Sequence, residues 1–86
     1  MKRYEVKFEV KVWERENGGF YEHTITICPR AHNTLEAINI GIEFLDSLVR
    51  GWEEEAISKK LGREFKVNKW ELSKILSAKT IKEEDI

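Results

Sequence analysis

The sequence predicts an α+β fold, an antiparallel sheet with one long helix on one face, in the order strand, strand, helix, strand, with a fourth strand as an option. Two alternating runs of apolar and polar residues flank a Gly-containing turn near the N-terminus, which is typical of a β-hairpin. Residues 33–60 instead repeat their apolar side chains at steps of three and four, which is typical of a helix. The 86 residues are expected to form one domain, with 81–86 as a frayed tail.

The predicted hairpin begins with strict alternation in residues 3–12. One face is apolar, as expected for a strand with one buried side: Tyr4, Val6, Phe8, Val10 and Val12. Residues 21–28 alternate in the same way, and Asn17-Gly18-Gly19 favours a two-residue turn because Asn and Gly tolerate positive φ. A loop at Asn17-Gly18 pairs Val10 with Ile25, whereas a loop at Gly18-Gly19 pairs Val12 with Ile25. Both registers keep the apolar faces together.

The helix has a marked start and end. Asn33 and Glu36 have capping-box spacing, and Gly62 follows Lys59 and Lys60 as a stop signal. The predicted buried stripe is Leu35, Ile38, Ile42, Leu45, Val49, Trp52 and Ala56. Because Gly51 interrupts this stripe and a helix over 34–61 would be about 42 Å long, either the helix bends there or its second half packs on something else.

The C-terminal part predicts strand structure. Phe65 and Val67 alternate, and Trp70 and Leu72 alternate in the opposite parity, which indicates one strand with a bulge near Asn68 or two short strands. This strand is expected beside the first one. Trp70 and Trp52 are both expected in the core.

Composition restricts the class of function. The 15 Lys and Arg nearly balance the 16 Asp and Glu, and the resulting net charge of −1 argues against non-specific nucleic-acid binding. No apolar run is long enough for a membrane span or a signal peptide, and the single Cys28 fits a reducing compartment. A cytoplasmic protein with no membrane association is expected.

Catalytic and metal-binding motifs are not evident. His23, Cys28 and His32 lack the paired spacing of a zinc site, and strand parity puts His23 and Cys28 on opposite faces. Cys28 with His32 could form a nucleophile and base, but no third group orients them. We expect no enzyme activity, no metal and no cofactor.

Recognition of a partner is the remaining possibility, and the hairpin carries residue types enriched in interface hot spots. The hypothetical partner-binding residues are Trp13, Arg15, Phe20 and Tyr21. The alternative is that Tyr21 and Phe20 cap the helix packing. Trp13 falls among charged residues, so it either meets a partner or is covered by the C-terminal segment. A nucleic-acid surface is a further alternative, formed by Arg3, Lys7, Lys11 and Trp13. Glu5, Glu9 and Glu22 on the same face would cancel much of its charge.

Two segments resemble the hairpin and the helix entry of HicB-like antitoxins: Glu16-Asn17-Gly18-Gly19-Phe20-Tyr21 and Asn33-Thr34-Leu35-Glu36-Ala37-Ile38. The stretch between them is shorter than in that family. The whole chain, with Trp70-Glu71-Leu72 near its end, is similar in style to small strand-strand-helix-strand proteins of phages and mobile elements, some of which, such as anti-CRISPR proteins, bind a larger host complex.

The expected function is accordingly a non-enzymatic protein-protein interaction module, as an inhibitor or accessory protein of a phage or mobile element. A HicB-like antitoxin paired with a toxin and a weak nucleic-acid-binding domain are the alternatives. A homodimer is also expected, because a helix longer than its sheet would gain by burying the overhang against a second copy.

Overall fold

The computed structural model describes residues 1–15 and 19–81. It confirms the predicted α+β class, with an antiparallel sheet and one long helix. The strands are β1 (Lys2–Glu14), β2 (Phe20–Ile27), β3 (Arg30–Ala31) and β4 (Val67–Thr80). The helix consists of α1 (Thr34–Leu48), a π-helical turn (Val49–Glu53) and α2 (Glu54–Leu61). The predicted turn residues Asn17 and Gly18 and residues 82–86 of the predicted tail lie outside the described ranges.

Strand β1 is the centre of the sheet. It pairs antiparallel with β2 and, as the sequence predicts, with β4. The short β3 continues the register of β2, since Val6 pairs with Ile27 and Arg3 pairs with Arg30. The amide of Tyr4 also donates to the carbonyl of Pro29 at 2.9 Å. Strands β2 and β3 therefore form one edge, interrupted at Cys28-Pro29, and β4 forms the other.

The hairpin register differs from both predicted registers. Val10 pairs with His23, Phe8 with Ile25 and Val6 with Ile27, two residues away from the nearer prediction. An even shift leaves every side chain on the same face, so the alternating pattern could not distinguish these registers. A hydrogen bond of 2.9 Å from the amide of Glu14 to the carbonyl of Gly19 belongs to the observed register.

Strand β4 is one continuous strand, which decides between the two predicted alternatives. Its pairing with β1 shifts at three places. One shift skips Asn68, where the sequence predicts a bulge, because Lys69 pairs with Trp13 and Val67 pairs with Glu14. Beyond the strand, the amide of Ile81 donates to the carbonyl of Arg3 at 2.9 Å.

The core lies between the helix and the face of β1 that carries its even-numbered residues. Val6, Phe8 and Val10 are fully buried there. The buried residues of the helix are Ala37, Gly41, Leu45, Val49 and Ile57. The predicted stripe is thus right at Leu45 and Val49, and Ile38 is partly buried. It is wrong at Leu35, Ile42 and Trp52, which are 68%, 38% and 76% exposed, and at Ala56, which is also exposed.

The reason for this error is the size of the contacting residues. The helix buries Ala37 and Gly41, and the missing side chain of Gly41 permits a close approach to Phe8. The π-helical turn then carries an extra residue per turn, which changes the face presented by the second half. The predicted stripe assumed an uninterrupted helical period and used the largest apolar residues. It therefore marked a side of the helix that is largely exposed.

Both predicted helix ends are confirmed. The side chain of Asn33 accepts a hydrogen bond of 2.8 Å from the amide of Glu36. The Glu36 carboxylate accepts from the amide of His32 at 3.3 Å, one residue before the position a capping box would use. Gly62 ends α2 in the left-handed region at φ 70°, and its amide donates to the carbonyl of Ser58 at 3.0 Å.

The second half of the helix packs on the segment that leads into β4. Ile57 is buried with Phe65 and Val67. The Ser58 hydroxyl accepts from the amide of Phe65 at 2.9 Å, and the Glu54 carboxylate accepts from the amide of Val67 at 3.0 Å. The prediction that the second half of the helix packs on something else is therefore confirmed for one side of α2, while Trp52 remains 76% exposed.

Candidate partner-binding surfaces

The four predicted partner-binding residues lie in different places. Trp13 and Phe20 pair directly across β1 and β2, with ring centroids 5.9 Å apart, on the face of the sheet opposite the helix. Tyr21 lies on the helix side, where its ring packs edge-to-face on Phe65 at 5.3 Å. Arg15 is exposed, and its amide donates to the carbonyl of Lys66 at 3.0 Å. The structure thus brings together Trp13 and Phe20, and it gives Tyr21 a packing role.

Two lysines complete the site around Trp13 and Phe20. The Nζ atom of Lys69 lies 4.7 Å from the centroid of the Trp13 ring, and that of Lys11 lies 5.5 Å from the centroid of Phe20. Both distances suit cation–π attraction. Phe20 remains 53% exposed. We call Lys11, Trp13, Phe20 and Lys69 the aromatic–lysine cluster. Sequence reasoning missed Lys69 because only the pairing of β1 with β4 brings it to Trp13.

The rest of this open face carries lysines and glutamates that form ion pairs across the strands. Lys74 approaches Glu9 at 3.4 Å, and Lys79 approaches Glu5 at 3.6 Å, both across β1 and β4. Lys7 lies 3.9 Å from the same Glu5. These carboxylates offset the field of the lysines, and phosphate binding would have to compete with the existing pairs.

A second apolar surface lies along the β2–β3 edge. A cleft of about 500 Å³ runs between residues 27–30 and one side of the helix. The helix contributes four apolar residues at intervals of four: Ile40, Phe44, Leu48 and Trp52. Phe44 is 55% exposed and Trp52 is 76% exposed. We call this cleft the edge groove. The four-residue spacing of these apolar residues could have indicated the groove from the sequence. It was missed because Trp52 was assigned to the core.

Asp46 and Arg63 show the clearest electrostatic effects. The indole Nε1–H of Trp70 donates to Asp46 at 2.7 Å, and this bond, followed by one from Arg50, lowers the pKa of Asp46. Arg63 binds the buried carboxylate of Glu14 through both terminal nitrogens, which raises the pKa of Arg63. Trp70 is half-buried against the core, so its predicted core position holds for the ring and not for its polar edge.

The His and Cys residues have separate surroundings. His23 contacts Glu53 of the π-helical turn, and the ring of His32 lies 3.1 Å from Glu36. Cys28 is exposed in the wall of the edge groove. Over residues 1–15 and 19–81, no group of three or more His, Cys, Asp or Glu side chains is arranged to hold a metal ion.

Comparison with known proteins finds no matching family model, curated protein or solved structure. Within the described part of the chain, none of the helices has the length and apolar character needed to cross a membrane.

Proposed function

We propose that the protein is a non-enzymatic module that binds a protein partner through the aromatic–lysine cluster. Its most concrete form is an inhibitor or accessory protein of a phage or mobile element that acts on a host complex. The observation that supports this most directly is the ring pair formed by half-buried Trp13 and exposed Phe20, on a sheet face whose other paired positions carry charged and hydroxyl side chains. Neither ring is needed to cover the core, which lies on the opposite face of β1.

The cluster also specifies the chemistry of the partner. Trp is among the residue types that dominate binding energy when a partner excludes water from them. Lys11 and Lys69 flank the rings, so the complementary surface is an apolar pocket rimmed by Asp or Glu. On the rest of the face, lysines already paired with Glu5 and Glu9 favour such a local acidic patch over an extended polyanion.

The test compares variants that remove an aromatic ring from two different places. Trp13→Ala and Phe20→Ala change the cluster, whereas Trp52→Ala removes an exposed ring from the edge groove. Each purified protein is used to capture partners from nuclease-treated host lysate, and the captured protein is then purified and titrated against each variant.

We expect binding to weaken at least about tenfold for Trp13→Ala, as for an interface hot spot, and to change little for Trp52→Ala. The proposal would be overturned if the purified partner bound wild type and both cluster variants equally. It would also fail if the protein captured only nucleic acid, seen in a parallel lysate without nuclease and absent after nuclease treatment, with affinity falling steeply as salt increases.

A further inference from the structure

We infer that the free edge of β2 and the edge groove together form an interface for a second copy of this chain. Of the aromatic–lysine cluster, only Phe20 lies on β2, at the end of that strand, and the inference does not depend on the proposed function. Its basis is the backbone geometry of β2, the charge pattern of that strand and the exposed side of the helix.

The hydrogen bonds of the hairpin determine which backbone groups of β2 are available. Gly19 and Pro29 both turn their carbonyls toward β1, where they accept from Glu14 and Tyr4. Since direction alternates along an antiparallel strand, odd-numbered residues of β2 face β1 and even-numbered ones face outward. Glu22, Thr24 and Thr26 therefore direct their amides and carbonyls away from the sheet, on a strand whose only strand partner in the described chain is β1.

The two edges of the sheet differ in regularity. Strand β2 pairs with β1 from Trp13–Phe20 to Val6–Ile27 without a register shift. Strand β4, the other edge, has three shifts. Bulges twist an edge and protect it from further pairing, whereas a regular edge is a template for an added strand. Of the two, β2 is the edge suited to receive another strand.

The sequence of β2 is compatible with antiparallel pairing to itself. A two-fold axis at Thr24 places Glu22 opposite Thr26 of the second copy and Thr24 opposite its own equivalent. His23 then faces Ile25 of the second copy. No like charges are opposed in this arrangement, which a self-complementary two-fold interface requires.

The helices provide the second argument. Joining β2 to β2 would put both helices on the same face of one continuous sheet. Gly41 lies against Phe8 of β1, so the helix passes over the central strand. The two β1 strands would be three strand spacings apart, about 14 Å, whereas helices in direct contact are about 8–10 Å apart. Phe44 and Trp52 of both copies are exposed toward this gap and are large enough to fill it.

The experiment measures the mass of the full chain by sedimentation equilibrium over a range of micromolar concentrations. The monomer is 10.2 kDa, and we expect the wild type to approach twice that mass. Thr24→Pro removes an outward amide without removing a bond to β1, so it should give a monomer with an unchanged circular dichroism spectrum. The double variant Phe44→Ser, Trp52→Ser removes the two large apolar side chains of the edge groove instead, and it should also be monomeric. Trp13→Ala is the matched control and should remain dimeric.

Hydrogen exchange gives an independent measure. The amides of Glu22, Thr24 and Thr26 should exchange slowly in concentrated wild type and rapidly on dilution. The inference is overturned if the wild type stays monomeric throughout, or if a dimer persists in both Thr24→Pro and the groove variant. Failure of this interface would leave capture through Trp13 unaffected, and failure of that capture would leave the dimer unaffected, so the two proposals are tested separately.

Discussion

At the scale of single residues, Gly41 is the closest contact between the helix and the sheet. A Cβ atom added there would lie 2.6 Å from Cζ and 2.7 Å from Cε2 of Phe8. Phe8 is fully buried, so its ring cannot move aside without disturbing the core. We expect Gly41→Ala to lower the free energy of unfolding by about 1–2 kcal/mol, because overpacking exceeds the gain of about 1 kcal/mol in helix propensity. Urea denaturation measures this change.

Gly51 is the matched control for that substitution. A Cβ atom there would have no neighbour within 4 Å. Gly51→Ala should therefore raise the free energy of unfolding by up to about 1 kcal/mol through propensity alone. A stabilising effect of Ala at both positions would show that the helix does not approach Phe8 as closely as the structure has it. The sequence alone singles out Gly51, because it interrupts the predicted stripe. The importance of Gly41 becomes visible only in the structure, where the Phe8 ring packs against it.

At the scale of elements, Arg63 joins the end of β1 to the loop that follows α2. Glu14 is only 5% exposed, and Arg63 donates to its Oε1 at 3.0 Å and contacts its Oε2 as well. Arg63→Ala would remove both of these contacts from the buried carboxylate. We expect the free energy of unfolding to fall, because Glu14 is buried, although the partial exposure of Arg63 reduces the effect.

The control for this pair is Arg50→Ala. Arg50 and Asp46 form an ion pair at 3.1 Å, but both side chains are well exposed. Its removal should change the free energy of unfolding by less than about 1 kcal/mol. Thermal or urea unfolding of both variants would test the contrast, and equal losses would contradict the buried role of Glu14.

Whether a feature of an element could be predicted from the sequence depends on how local its determinants are. Alternation identified the faces of β1 and β2, and local signals identified both helix ends, since Asn33 and Gly62 act within one turn. The register of the hairpin, the π-helical turn and the exposure of Trp52 depend on contacts distant in sequence. Of the predicted site, parity places Trp13 and Phe20 on one face, and the observed register pairs them directly. Lys69 and the edge groove required knowledge of how β4 and the helix pack.

At the scale of the whole molecule, three carboxylates of the helix make polar contacts with strands β2 and β4. Asp46 accepts from Trp70 of β4, Glu54 accepts from the amide of Val67, and Glu53 contacts His23 of β2. The apolar core supplies most of the attraction between these layers. The carboxylates fix where the helix lies along the sheet, and their protonation should weaken that arrangement.

For Asp46, the direction of its pKa shift predicts how its contribution to stability depends on pH. Its pKa is lowered below the ordinary value of 3.8, first by the bond from Trp70 and then by Arg50. A carboxyl group with a lowered folded-state pKa contributes stability that is present above its unfolded-state pKa and is lost as the pH falls through the folded-state pKa. Asp46→Asn should therefore be less stable than wild type at neutral pH, and the difference should shrink as the pH falls below 3.8. Urea denaturation at several pH values measures the difference, and an NMR titration of the Asp46 carboxyl group measures its pKa.

Trp70→Phe supplies the control, because it removes the indole donor and keeps an aromatic ring. In that background the Asp46→Asn substitution should cost less, and the pKa of Asp46 should move back toward 3.8. A carboxyl titration that is the same with and without the indole would mean that Trp70 does not hold Asp46. The link between helix and β4 would then rest on Glu54 and Val67 and on apolar packing alone, and the position of the helix over the sheet would be set near Phe65 rather than along its whole length.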